Sequence, residues 1–103
     1  GLMHGLLHDR SIVLQAVLGM VVLAVCACLG LEAMEWCVIL IVIGAVIALE
    51  YINSALETIV DMVSPQYSEG AKKAKDYAAA AVLVMSLAAA AVGIVIIGGK
   101  LFL

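Results

Sequence analysis

Charge is scarce in this chain. Only 13% of its 103 residues are Asp, Glu, Lys or Arg, against about 25% in an ordinary soluble domain. Basic residues are scarcer still. Five Lys and Arg face eight Asp and Glu, a formal net charge of −3, and the pI is near 5.1. With no basic stripe, nucleic-acid binding is excluded. Cysteine is limited to Cys26, Cys28 and Cys37. An odd number inside apolar runs is no disulfide framework, so the three are expected to be small buried hydrophobes. No Cys/His group has zinc spacing. Proline occurs once, at Pro65.

What is abundant is apolar surface. Hydrophobic residues make up 67% of the chain and the mean hydropathy is +1.28. A soluble domain of this size buries only about 60–70% of its unfolded surface and could not hide so much. Disorder is excluded by the same composition. Ile12 to Leu31 is an apolar run broken only by Gln15, long enough to cross a ~30 Å hydrocarbon core as a helix. It is too long for the apolar region of a signal peptide, and no small-residue cleavage site follows. A second run starts at Trp36, and a third covers Tyr77 to Gly99. The expectation is an all-α integral membrane protein with three transmembrane helices, about 12–31, 36–63 and 72–99. Residues 1–103 then form a single domain. Gly30 to Glu35 is the first connection. Ser64 to Gly70 is the second, and Pro65 in it cannot continue a helix.

Lys and Arg set the orientation. Arg10 precedes the first span, and Lys72, Lys73 and Lys75 precede the third. The positive-inside rule puts the N-terminus and the 64–75 loop in the cytoplasm, with Lys100 the single dissent. Trp36 suits an interfacial anchor at the outer end. Small residues are dense in the third span, at Ala78 to Ala81, Ala88 to Ala91 and Gly93, and recur at Gly44 and Ala48. They allow close approach of helices. Three thin spans can hardly enclose a polar site alone, so a homo-oligomer is expected.

The second helix continues past its apolar run as EYINSALETIVDMV, residues 50–63. Glu50, Asn53, Glu57 and Asp61 are spaced +3, +4 and +4, one face of an α-helix. From Glu35 onward the helix is ~43 Å long at ~1.5 Å per residue, with Glu50 the deepest acid. A carboxylate at membrane depth costs a few kcal/mol and is usually retained for function. Asp61 reads equally well as part of a solvated helix end. Across the turn lies Lys72-Lys73-Ala74-Lys75-Asp76. Hard oxygen donors suit magnesium, lysines suit phosphate, and a deep carboxylate can accept a proton. Those are the parts that phosphoryl transfer needs. No Walker A or protein-kinase Gly-rich loop is present, and Gly98-Gly99-Lys100 lacks both the spacing and the hydroxyl.

Two stretches resemble the signature of the small bacterial integral-membrane lipid kinases, the prokaryotic diacylglycerol and undecaprenol kinase family. They are Glu50-Tyr-Ile-Asn-Ser-Ala-Leu-Glu-Thr-Ile-Val-Asp61 and Ala74-Lys-Asp-Tyr-Ala-Ala-Ala-Ala-Val82. The Glu35-Trp36 pair and the basic residue near the end are similar to the undecaprenol kinase branch. The resemblance implies a homotrimer in the bacterial plasma membrane, with composite sites near the cytoplasmic surface. It implies ATP as phosphoryl donor, Mg2+ as cofactor and a lipid alcohol as acceptor, undecaprenol first and diacylglycerol second. Carried over by position, Glu50 matches the general base and Asn53 the amide beside it. Glu57 matches a ligand of metal and nucleotide, Lys75 and Asp76 the pair that contacts ATP, and Tyr67 a nucleotide-contacting position.

The chain departs from that family in places. Its Asp9-Arg10-Ser11 stands where the family has Glu-Arg-Asn, so the second metal ligand, Asp9, is one methylene shorter. Ser68 sits where His is common. Gly1 falls near the end of the family's amphipathic surface helix, so that helix is expected to be truncated here. Leu2, Met3, Leu6 and Leu7 suit an interfacial remnant of it, and His4 and His8 suit headgroup-level polar residues. The remote alternative is a non-enzymatic membrane protein that binds cations on its acidic stripe. Lys75-Asp76, expected opposite Glu57, argues against a cation pore, which gains nothing from lysines beside its carboxylates.

Overall fold

The computed structural model describes residues 1–103 and is entirely helical. Four helices follow one another: α1 (Leu2–His8), α2 (Arg10–Leu29), α3 (Ala33–Val63) and α4 (Glu69–Phe102). The last three are long and apolar enough to cross a membrane. At ~1.5 Å per residue α4 alone is ~51 Å long, close to the 53 Å long axis of the molecule.

Local chemistry sets the breaks. Asp9 is extended (φ −95°, ψ 115°), which separates α1 from α2, and its carboxylate caps α2 by accepting from the Ile12 N–H at 3.1 Å. That satisfies one donor that the first turn leaves free. Gly30 ends α2 in the left-handed region, at φ 69°, which glycine adopts without a Cβ penalty. The Glu35 carboxylate reaches back to the Glu32 N–H at 2.9 Å and ties down the start of α3. At the other turn, Ser64 closes α3 and Ser68 caps α4, accepting from the Ala71 N–H at 3.1 Å. The two serine hydroxyls lie 3.2 Å apart. Ser68, where histidine is common in the resembling family, thus serves here as a helix cap.

The packing is uneven. α3 and α4 form a long antiparallel hairpin, whereas α2 leans on α3 and barely touches α4. Only eight residues are buried, among them Ile12, Cys26, Ile39 and Val46. Close approach of α2 to α3 occurs at Gly19, where a Cβ would stand 2.9 Å from Ile43 Cγ2. Of the small residues singled out by the sequence, Gly44 and Gly93 do not serve this purpose within one chain, since a Cβ there would meet nothing within 4 Å, whereas Ala78 is buried on α4. Cys26 is buried as expected, but Cys28 and Cys37 are exposed. With so thin a core, most positions of a span face outward.

Candidate active site

Five polar side chains of α3 lie along the half of the helix that approaches α1 and the turn into α4. Glu50 is the deepest. It is 6% exposed and is the one buried charged residue of the chain. Its burial follows from its place below the α1–α2 junction. Its electrostatic neighbours are Asp9 from that junction, the Gln15 amide from α2, and Glu57 two turns further along α3. None of these neighbours is a cation. Carboxylates gathered this way repel one another unless a proton or a cation joins them.

Asp9 is held firmly. Its Oδ1 accepts from the Ile12 N–H, and its Oδ2 accepts from the Ser54 hydroxyl at 2.5 Å. The Ser54 hydroxyl holds this carboxyl below its ordinary range, and the Ile12 N–H works the same way against some burial. Asp9 therefore stays ionised at neutral pH. Asn53 donates from Nδ2 to Glu57 Oε1 at 2.9 Å. Its Oδ1 is buried and has no hydrogen-bond partner. An unsatisfied buried acceptor is costly, and a donor or a cation would relieve it.

The loop side is organised differently. A cleft of about 290 Å3 is lined by Asp61, Tyr67, Ser68, Lys72, Lys75, Asp76 and the turn residues between α3 and α4. Lys75 Nζ meets Asp61 Oδ1 at 2.5 Å, and Lys72 Nζ meets Asp76 Oδ2 at 2.7 Å. Tyr67 is exposed beside them. The sequence placed Lys75-Asp76 opposite Glu57. The structure pairs Lys75 with Asp61 instead, because the short turn brings the first turns of α4 level with the last turn of α3, one helical turn past Glu57.

The predicted residues thus fall into two groups. Asp9, Glu50, Asn53 and Glu57 gather near the α1–α2 junction, and Tyr67, Lys75 and Asp76 gather at the loop. No three Asp, Glu, His or Cys side chains of one chain converge to hold a metal ion. Sequence reasoning passed over Ser54, Gln15 and Tyr51 as site residues. Ser54 and Gln15 carried a signal, since one is polar on the acidic stripe and the other is the lone polar break in the first apolar run. Tyr51 donates to the Leu2 carbonyl at 2.6 Å, and nothing in the sequence pattern marks that contact.

An all-helical chain with three candidate spans and a buried acid among further acids and amides defines a small multi-pass membrane protein with a polar site at one end. Residues 1–97 match the family described as prokaryotic diacylglycerol kinase, and the chain belongs to that family. It is 38% identical over 71 residues to the undecaprenol kinase of Bacillus subtilis, covering 69% of this chain and 58% of that protein. It is also 38% identical, over its whole length, to the diacylglycerol kinase of a Synechocystis species, of which it covers 57%. The chain therefore spans a little under three fifths of these relatives. No solved structure matches it.

Proposed function

We propose that the chain transfers the γ-phosphoryl group of ATP to the hydroxyl of a membrane lipid alcohol, undecaprenol before diacylglycerol. The observation that carries this reading is Glu50, a buried carboxylate with acids and amides around it and no cation from its own chain. Membership of a family described as kinases supports the chemistry. The preference for undecaprenol is supported by Glu35 and Lys100, the residues similar to the undecaprenol kinase branch, which meet at 2.9 Å. The equal identity to relatives named for each acceptor keeps diacylglycerol as the second reading.

In this reading Glu50 accepts the proton of the lipid hydroxyl. The oxygen so freed attacks the γ-phosphorus, the bond to the bridging oxygen breaks, and ADP leaves with that oxygen. Such transfer depends mainly on positioning and charge. Lys75 exchanges Asp61 for phosphate oxygens, Asp76 contacts the nucleotide beside it while holding Lys72, and Tyr67 offers a ring to the base. Asn53 holds Glu57 in place through its amide. The donors suit magnesium, since Asp9, Glu57 and the unpartnered Asn53 Oδ1 are hard oxygens. Magnesium is commonly held by one or two carboxylates together with substrate phosphates, so the sparse donor set of one chain fits. When bound, the ion neutralises charge on the phosphoryl oxygens. The active site faces the cytoplasm in this scheme, and a homotrimer covers the outward apolar faces of the spans.

A labelled-ATP assay on the detergent-solubilised protein tests the proposal, with undecaprenol and diacylglycerol offered side by side. Transfer mainly to undecaprenol is expected. Transfer mainly to diacylglycerol would keep the chemistry and change the acceptor, and transfer to neither would refute the reading.

A further inference from the structure

The contact between α1 and α3 is tighter than any other glycine contact in the molecule. Gly5 is buried under the Tyr51 ring. A Cβ at position 5 would overlap Tyr51 Cε1 and stand 2.7 Å from Cζ and Oη. The Tyr51 hydroxyl reaches over α1 and donates to the Leu2 carbonyl at 2.6 Å. Gly5 in turn accepts the Asp9 N–H at 3.0 Å, which is where α1 ends. One turn further along α3, Ser54 donates to Asp9. Tyr51, Ser54 and Thr58 line the same 390 Å3 recess with His4, His8 and Asp9. One face of α3 therefore grips α1 at its start through Tyr51 and at its end through Ser54. The neighbouring face carries Glu50 and Glu57.

We propose that Tyr51 and Gly5 are positioning residues that lock α1 onto α3 and so set where Asp9 presents its carboxylate beside Glu50. The inference rests on the reading of Asp9 as a metal ligand. The side chain of Asp9 has two short torsions, so its reach is fixed by its backbone. That backbone is extended between two helices, and the side-chain bonds of α1 and Asp9 to α3 come from Tyr51 and Ser54. Only a residue without a Cβ lets the ring lie this close. A carboxylate held less firmly binds an ion less well, as loss of supporting contacts does at metal sites, and a methyl group at position 5 would push the Tyr51 ring off its seat on α1.

The test uses Gly5→Ala and the milder Tyr51→Phe, which keeps the ring and removes only the hydrogen bond. Two readouts are taken on the solubilised full chain. Hydrogen exchange of the residue 2–9 amides reports whether α1 is locked, independently of turnover. The magnesium concentration for half-maximal transfer reports where Asp9 sits. Both variants are expected to speed exchange of α1 by tenfold or more. Both should raise the magnesium requirement at least fivefold while the rate at saturating magnesium stays within threefold. Neither should raise the requirement further in an Asp9→Asn background, because the lock acts through Asp9. Unchanged exchange would overturn the lock. Faster exchange with an unchanged magnesium requirement would overturn the positioning claim and leave only a structural contact. If Asp9→Asn itself leaves the requirement unchanged, the ligand reading of Asp9 falls and the positioning claim with it. The exchange result still separates that failure from the absence of a lock.

Discussion

Glu35 and Glu50 lie on the same helix, about 22 Å apart at ~1.5 Å per residue, and their surroundings differ in kind. Glu35 sits near the Gly30 turn, partly exposed, with Lys100 Nζ at 2.9 Å and the Glu32 N–H on the same oxygen. Its charge is met within the chain. Glu50 is more deeply buried and has Asp9, Glu57 and the Gln15 amide as its electrostatic neighbours instead. A buried charge without a partner is normally removed or neutralised, because its desolvation costs several kcal/mol. An acid matched by a lysine ties two helix ends together. An acid surrounded by acids is stable only when a proton or a cation joins it, and that separates a structural carboxylate from a candidate catalytic one. Asp61, bonded to Lys75 at the exposed loop, lies between the two cases, since a phosphate can take the lysine from it.

Substitutions along α3 sharpen this contrast. The largest effect is expected at Glu50. Glu50→Gln preserves shape and removes the base, so phosphoryl transfer should fall by at least ~100-fold, while size-exclusion chromatography and circular dichroism stay unchanged. Near-normal turnover in that variant would remove the distinction drawn between Glu50 and Glu35. Next comes Glu57→Gln. Loss of a ligand should raise the magnesium needed for half-maximal rate on the order of tenfold, and a superimposable titration would take Glu57 out of the metal site.

A smaller change is expected from Ser54→Ala. Asp9 has its pKa lowered chiefly by the Ser54 hydroxyl. A depressed carboxylate stabilises the fold above its unfolded pKa, and that contribution is lost as pH falls through the folded value. Without Ser54 the folded value should return toward the ordinary one of about 3.9, so protonation of Asp9 begins at higher pH. A carboxyl 13C titration of the labelled protein reads the shift directly. The smallest effect belongs to the matched pair. Lys100→Met should lower stability only slightly, as partly exposed ion pairs do, and leave the rate unaltered. Thermal melts and initial rates in the same detergent check both halves.

The acidic stripe was legible because 50, 53, 57 and 61 follow the helical period whatever the tertiary structure. So were the three long helices, from hydropathy, and the turn at Pro65. What the sequence did not reveal depends on distant segments meeting. The Ser54 bond to Asp9 joins residues 45 apart, and the Tyr51 bond to Leu2 joins residues 49 apart. Both depend on Asp9 breaking the helix, and the second on Gly5 leaving room for the Tyr51 ring over α1. Neither condition has a period to read. The partner of Lys75 was misplaced by one turn for a related reason. Register across a hairpin is set by how the connection closes, and here Ser64 and Ser68 close it tightly.

The Glu35–Lys100 pair bears on how the far end of the hairpin crosses the bilayer. Each elementary charge moved through the membrane potential gains or loses ~2.3 kcal/mol per 100 mV. Crossing together, Glu35 and Lys100 present the field with a dipole and no net charge. The lysine that counts against the orientation rule is thus cancelled, and the electrical work of carrying it across vanishes once the two helix ends travel as one hairpin.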